Sequence, residues 1–265
     1  MKPQILALVM AAALVSGCGG GGDDSNMPTD PKPQDNAQHE IPQVYRDRLS
    51  TVKSSEFTFA IGQNVAVDTT LNGHTLTSLA NNRLKMNMHS LPRGWLSATG
   101  TNVFHDGSGD RLPTQIRSYQ SLYSGSYIQK GNEGISLHVT YGVEPLIADM
   151  PTSGKASYSG VAFDASDRGT FNYHLDFGSR SGHGEISGLS RFGRVTLHPT
   201  TFSHKPQDDF VIFETTNGRA SSEKRGFLQY IANVWGPGGQ ELNGKLQEAG
   251  SATAVFQGTR GAITE

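Results

Sequence analysis

The stretch Gly169-Thr170-Phe171-Asn172-Tyr173-His174-Leu175-Asp176-Phe177 decides the fold. Phe171, Tyr173, Leu175 and Phe177 fall on one side of an extended chain, and Asn172, His174 and Asp176 on the other. Side chains alternate with period two along a strand. One apolar and one polar face therefore describe a half-buried antiparallel strand. Gly178-Ser179-Arg180-Ser181-Gly182 then turns the chain.

Outward from this strand the same grain continues. Eight strand-sized runs follow one another, at 155–163, 169–178, 183–188, 194–199, 209–216, 224–235, 241–248 and 251–258. Turn signals separate them, as at Asn217-Gly218 and Gly236-Pro237-Gly238-Gly239. Eight short strands with local turns predict a small closed antiparallel barrel, because closure removes the exposed edges of a sheet. Side chains about fill the interior of such a barrel, and the Phe171 to Phe177 face supplies that filling. Asn172, His174 and Asp176 are poor lipid-facing residues, so the barrel is expected to be water-soluble rather than membrane-spanning.

Upstream, residues 56–148 read as a second β-rich part with irregular loops. Phe57, Phe59 and Ile61 alternate with Thr58 and Ala60, and Leu84, Met86 and Met88 with Lys85, Asn87 and His89. Leu71-Asn72-Gly73-His74 has the form of a hairpin turn. Further strands are expected over 95–104, 115–129 and 135–141, with room for a short helix in 45–55 or 76–82. The fold class is thus all-β, in four parts: a signal over 1–17, a flexible tether over 18–45, a β-rich part over 46–150 and a barrel over 151–265.

The signal rests on Lys2, the apolar run Ile5 to Val15 and the small residues Ser16-Gly17 before Cys18. That run is too short to span a bilayer as a helix. Gly19 to Gly22 and Pro28, Pro31 and Pro33 make the next stretch a polar leader with too little apolar surface to order it. Val15-Ser16-Gly17-Cys18 resembles the lipobox of bacterial lipoproteins. The resemblance implies that Cys18 becomes the acylated first mature residue, and several acyl chains on one residue anchor stably.

Composition narrows the function classes. Loss of residues 1–17 removes one of 22 basic groups and leaves 21 against 24 acidic ones. A near-neutral chain makes no case for nucleic acid, which needs a basic stripe. Cys18 is the single cysteine, so with it acylated the chain has no disulfide, thiolate metal site or cysteine nucleophile. Nucleophile-elbow and H-E-x-x-H motifs are absent. Asp106-Gly107-Ser108-Gly109-Asp110 starts like a calcium loop, but Arg111 and Arg117 stand where glycine and glutamate are required. Gly182-x-Gly184 lies in a hairpin with no helix to cap a phosphate. Asp208 and Asp209 point to opposite faces of any strand. No catalytic residue and no metal site is expected, and the chain is not an enzyme.

Several segments in order resemble the factor H-binding protein family of surface lipoproteins and the wider transferrin-binding protein B-like family. They are Lys155-Ala156-Ser157-Tyr158-Ser159-Gly160-Val161-Ala162-Phe163, the Gly169 to Phe177 strand with Gly182-His183-Gly184-Glu185-Ile186, and Val234-Trp235-Gly236-Pro237-Gly238-Gly239-Gln240-Glu241-Leu242-Asn243-Gly244. Ala254-Val255-Phe256-Gln257-Gly258-Thr259-Arg260 is similar to the closing strand, and Ile116 to Ser124 to the segment before the barrel. The resemblance implies an N-terminal handle domain and a C-terminal eight-stranded barrel on an outer-membrane, surface-exposed lipoprotein. It also implies delivery by the surface lipoprotein assembly modulator. Implied partners are host serum proteins such as complement factor H, transferrin or haemoglobin, for immune evasion or nutrient capture. No ligand-contact residue carries over.

Two other readings stand beside it. One is a haem-binding lipoprotein. Haem needs an axial His, Met or Tyr in an apolar pocket, and His74, His89 and His105 lie near turns of the first part, with Met86 and Met88 nearby. Met88 and His89 point to opposite faces of a strand, so one haem cannot take both. The other is a structural envelope lipoprotein. Tyr119, Tyr123 and Tyr127 are four apart; on one strand they share a face, either facing a partner or, as expected of tyrosines with satisfied hydroxyls, buried.

Overall fold

The computed structural model describes residues 41–51, 56–60, 79–80, 83–87, 93–103, 111–131, 136–215 and 217–265. One α-helix, α1 (Gln43–Thr51), precedes seven strands: β1 (Glu56–Ala60), β2 (Leu79–Ala80), β3 (Arg83–Asn87), β4 (Gly94–Val103), β5 (Arg111–Gln120), β6 (Ser124–Gly131) and β7 (Ser136–Gly142). They form one antiparallel sheet in the order β2-β3-β1-β4-β5-β6-β7. Helix α1 overlaps the 45–55 window where a short helix is expected, starting two residues before it. Tyr45, at the end of the expected tether, is buried with Tyr123 and Val143.

The rest of the chain is strand: β8 (Lys155–Phe163), β9 (Arg168–Asp176), β10 (Ser181–Leu189), β11 (Gly193–Thr201), β12 (Ser203–Gln207), β13 (Phe210–Glu214), β14 (Gly218–Ser222), β15 (Gly226–Trp235), β16 (Glu241–Glu248) and β17 (Ser251–Arg260). Eight of these close on themselves as β8-β9-β10-β11-β14-β15-β16-β17, with β17 returning to β8. All neighbours are antiparallel. The expected eight-stranded barrel is present, and among the described residues no helix is long and apolar enough to cross a membrane.

One stave differs from expectation. The run 209–216 is not part of the ring: β13 pairs with β12 as a hairpin that leaves the barrel between β11 and β14. The fifth stave is β14, Gly-Arg-Ala-Ser-Ser, whose alternation of buried and exposed residues is carried by Gly218, Ala220 and Ser222. Small inward residues suit this stave because large ones face it. A Cβ on Gly218 would stand 2.5 Å from the ring of Tyr230.

Inside the ring, Phe171, Tyr173, Leu175 and Phe177 are all buried as the alternation requires. Phe171 stacks on Phe256 with ring centroids 4.7 Å apart, and Phe202 on Phe213 at 5.0 Å. The Tyr173 and Tyr230 hydroxyls lie 3.2 Å apart, and that of Tyr230 donates to the His198 carbonyl at 2.9 Å. Burial raises the pKa of both tyrosines, that of Tyr230 to about 12. The Gly182-x-Gly184 pair is explained by packing. Cβ atoms there would stand 2.4 Å and 2.7 Å from the Tyr173 ring.

Candidate functional site

The ring has two unlike outer walls. Along β16, β17 and β8 the wall is covered by β6, β7 and the turn that joins β5 to β6. Its apolar part is Val161, Phe163 and Val255 against Trp95 and Ile128. Its polar part is three side chains that point away from the barrel. The Glu241 carboxylate accepts from the Leu122 and Tyr123 N–H groups at 2.8 and 3.1 Å and from the Ser124 hydroxyl at 2.7 Å. Asn243 donates to the carbonyls of Gly125 and Tyr141, each at 3.0 Å, and accepts from the Trp235 indole at 2.7 Å. Gln257 donates to the Ser121 hydroxyl at 2.6 Å and accepts from the Ser126 hydroxyl at 2.9 Å. Buried polar groups persist when each finds a partner, and here the partners are backbone groups of the β5–β6 turn and of β6 and β7, serine hydroxyls of the same region and the Trp235 indole. Burial pushes the Glu241 pKa up to about 7 against the lowering effect of these donors.

Helix α1 closes one end of the same wall. The Tyr45 hydroxyl donates to Asp149 at 3.0 Å and accepts from the Leu146 N–H at 2.9 Å. Its ring meets Tyr123 and Phe210 edge-on at 5.6 and 6.3 Å. Arg48 lies over the Phe210 ring at 5.1 Å and beside Glu144 at 3.5 Å.

The other wall, β9, β10, β11, β14 and the start of β15, carries the outward residues Thr170, Asn172, His174, His183, Glu185, Thr196, His198 and Ser221, with no described element packed over it. Cross-strand bonds order it. Ser159 meets Asn172 at 3.0 Å, Ser157 meets His174 at 2.9 Å, Thr170 meets Ser187 at 2.8 Å and His198 meets Ser221 at 2.9 Å. Phe227 stands beside Ser221 at the edge of this wall and is 66% exposed, the most exposed large apolar side chain among the described residues. At the rim beyond it, Arg191 and Arg225 both reach Glu248, at 2.8 and 3.2 Å. An aromatic ring in a polar, hydrogen-bonded surface has the make-up of a protein-docking face.

Cys18, His74, His89 and His105 all lie outside the described residues, as does the loop 106–110. The tyrosine series is not one strand face. Tyr119 is on β5, Tyr123 is in the turn and Tyr127 is on β6, because β5 ends at Gln120 and β6 starts at Ser124. Tyr123 and Tyr127 are nonetheless buried and Tyr119 packs against Trp95. Asp208 and Asp209 form the β12–β13 turn, with Asp208 at φ 54 and the Asp209 carbonyl accepting from the Ile147 N–H. Sequence reasoning missed Glu241, Asn243 and Gln257. On a half-buried strand they read as solvent-facing, and only the position of a second sheet turns them into buried anchors.

Comparison with known proteins bears on the barrel. Residues 148–246 match the family model for "Factor H binding protein, C-terminal", a span that runs from just before β8 into β16. No curated protein sequence matches the chain. Among solved structures, the chain is similar to the apo haemoglobin receptor HpuA from Kingella denitrificans at 12% identity and TM-score 0.48, covering 81% of this chain and 89% of that one. It is similar to the same protein in complex with human haemoglobin at 13% identity and TM-score 0.45, covering 81% and 90%. It is also similar to transferrin binding protein B from Haemophilus parasuis at 16% identity and TM-score 0.43, covering 70% of this chain and 40% of that one. Over residues 148–246 the barrel of this chain is therefore similar to the C-terminal domain of factor H binding protein.

Proposed function

We propose that the chain is a lipid-anchored, surface-displayed outer-membrane lipoprotein that binds a host protein through the open wall of its barrel and catalyses no reaction. The observation that carries this reading is the match of residues 148–246 to a family described by its binding of factor H. The open wall supports it, being a polar, ordered face with one exposed aromatic at its edge. Acylation of Cys18, a leader long enough to hold the barrel off the membrane, and delivery by an assembly modulator complete the proposal. The partner is a complement regulator or a metal or haem carrier.

The test is capture from host serum and haemolysate on residues 18–265 with Cys18→Ser. The eluate is read by mass spectrometry and by absorbance near the Soret band. One stoichiometric serum protein is the expected result. A haem band without a bound protein replaces the reading by haem uptake. An empty eluate from folded bait replaces it by an envelope-structural role. Palmitate labelling and protease shaving of intact cells test the anchor and the display.

A further inference from the structure

The densest chemistry on the open wall is a pair of histidines. His174 on β9 and His183 on β10 are direct cross-strand partners. Both are exposed, and their ring centroids are 5.3 Å apart with planes tilted by 36°. The Nδ1 of His174 lies 2.9 Å from the Ser157 hydroxyl on β8. With Ser157 accepting from Nδ1–H, the lone pair of His174 is on Nε2.

We propose that His174 and His183 form a two-histidine site for a divalent transition ion of the Zn²⁺, Ni²⁺ or Cu²⁺ class. Imidazole nitrogen suits these ions. An ion about 2.0–2.1 Å from each nitrogen lies roughly 3.2 Å from each ring centre, so a tetrahedral angle sets the centres about 5.2 Å apart. The rings already stand at that separation. Metal-bound histidines commonly hydrogen-bond through the other ring nitrogen, which fixes tautomer and orientation; Ser157 does this for His174. On the same outer face the charged groups two residues from the pair are Asp176 on β9 and Glu185 on β10, with Lys155 on β8 opposite Asp176. The two carboxylates outnumber the lysine, and a cation suits that balance. His198 on β11 is turned to Ser221. Among the described residues no three His, Cys, Asp or Glu side chains converge. The pair therefore supplies two ligands, and water or a donor from a docked molecule fills the remaining positions.

The experiment is calorimetric titration of the tag-free chain, residues 18–265 with Cys18→Ser, with ZnCl₂ and NiCl₂ at pH 7.5. Copper electron paramagnetic resonance then counts the nitrogen ligands. The expected result is a binding event that disappears in both His174→Ala and His183→Ala and stays in His198→Ala. A Cu²⁺ spectrum with two imidazole nitrogens and a metal-induced rise in Tm, lost in the same two variants, are expected with it. Absence of binding overturns the proposal. So does binding that survives either replacement, which places the ion on other histidines. Both side chains are exposed, so the variants fold, and circular dichroism verifies it.

Discussion

The Glu241 carboxylate and the Ser124 hydroxyl meet at 2.7 Å across the seam between barrel and sheet, both fully enclosed. The contact makes a turn of the first sheet part of the barrel's outer wall. It also places an acid where its charge is costly.

The pH dependence of stability follows from that cost. In the folded chain Glu241 titrates at about 7, against 4.5 for an ordinary glutamate. Between those values the folded state holds a proton that the unfolded state has lost. The stabilisation is therefore complete below about pH 4.5 and is lost as pH rises through 7, on the order of 3 kcal/mol. Glu241→Gln keeps an acceptor for Leu122 and Tyr123 and a donor for Ser124. Urea melts from pH 4.5 to 8 should show its stability independent of this group. Glu241→Ala leaves two enclosed N–H groups without an acceptor and should cost about 2–4 kcal/mol at pH 4.5, and less as pH rises and the wild type loses its own stabilisation.

A single methyl group tests barrel packing. In Gly184→Ala the new Cβ would sit 2.3 Å from the Asn172 carbonyl oxygen and 2.7 Å from the Tyr173 ring. Backbone cannot swing aside as a side chain can, so the expected loss is about 1–3 kcal/mol, seen as a Tm lowered by several degrees. An unchanged Tm would mean that β9 and β10 separate more easily than their register implies.

Phe227 separates binding from stability. It is mostly solvent-exposed, so Phe227→Ala should leave Tm unchanged within about 0.5 kcal/mol. If the captured partner docks on this wall, its affinity should fall by about thirtyfold, the lower bound of a hot spot. Surface plasmon resonance of the variant against that partner decides, and an unaltered Kd moves the docking face elsewhere.

Arg168 covers the Trp95 ring, its guanidinium carbon 4.1 Å from the centroid. Arg168→Ala should uncover the indole and cost about 1 kcal/mol. Trp95 and Trp235 are the two tryptophans of the chain, so the emission shift is best read in a Trp235→Phe background. No shift would mean that Phe163 and Tyr119 alone shield the ring.

How much could be read from residue order varied with what each residue touches. The Phe171 to Phe177 strand announces itself because large apolar side chains alternate with polar ones. Seven of the eight staves could be found in the same way. β14 could not, since Gly218, Ala220 and Ser222 carry the alternation without bulk, while β13, with Val211 and Phe213, imitates a stave. Phe213 of β13 and Phe202 of the link before β12 pack together within the barrel's core cluster, so the hairpin is apolar because it adds to that core without being a stave of the ring. The seam was illegible for a different reason. Glu241, Asn243 and Gln257 alternate with core residues as surface residues do, and their burial depends on a turn more than a hundred residues away. The histidine pair needed the register of two strands, which fixes that His174 faces His183 and not Glu185.

Helix α1 has a mechanical meaning. A pull arriving from the N-terminal side reaches Tyr45 before it reaches any strand of the first sheet. Through Tyr45 it passes to Leu146 and Asp149, in the link before β8, and to Phe210, which opens β13. The load is thus divided between the Leu146–Phe210 bridge and, through the Tyr45–Tyr123 ring contact, the turn that joins β5 to β6. If the Tyr45 contacts yield, the tension shifts to the seam, where Glu241, Asn243 and Gln257 would take it in shear. A molecule held at the open wall and a tether pulling at residue 41 would therefore strain two latches in succession, the weaker one first.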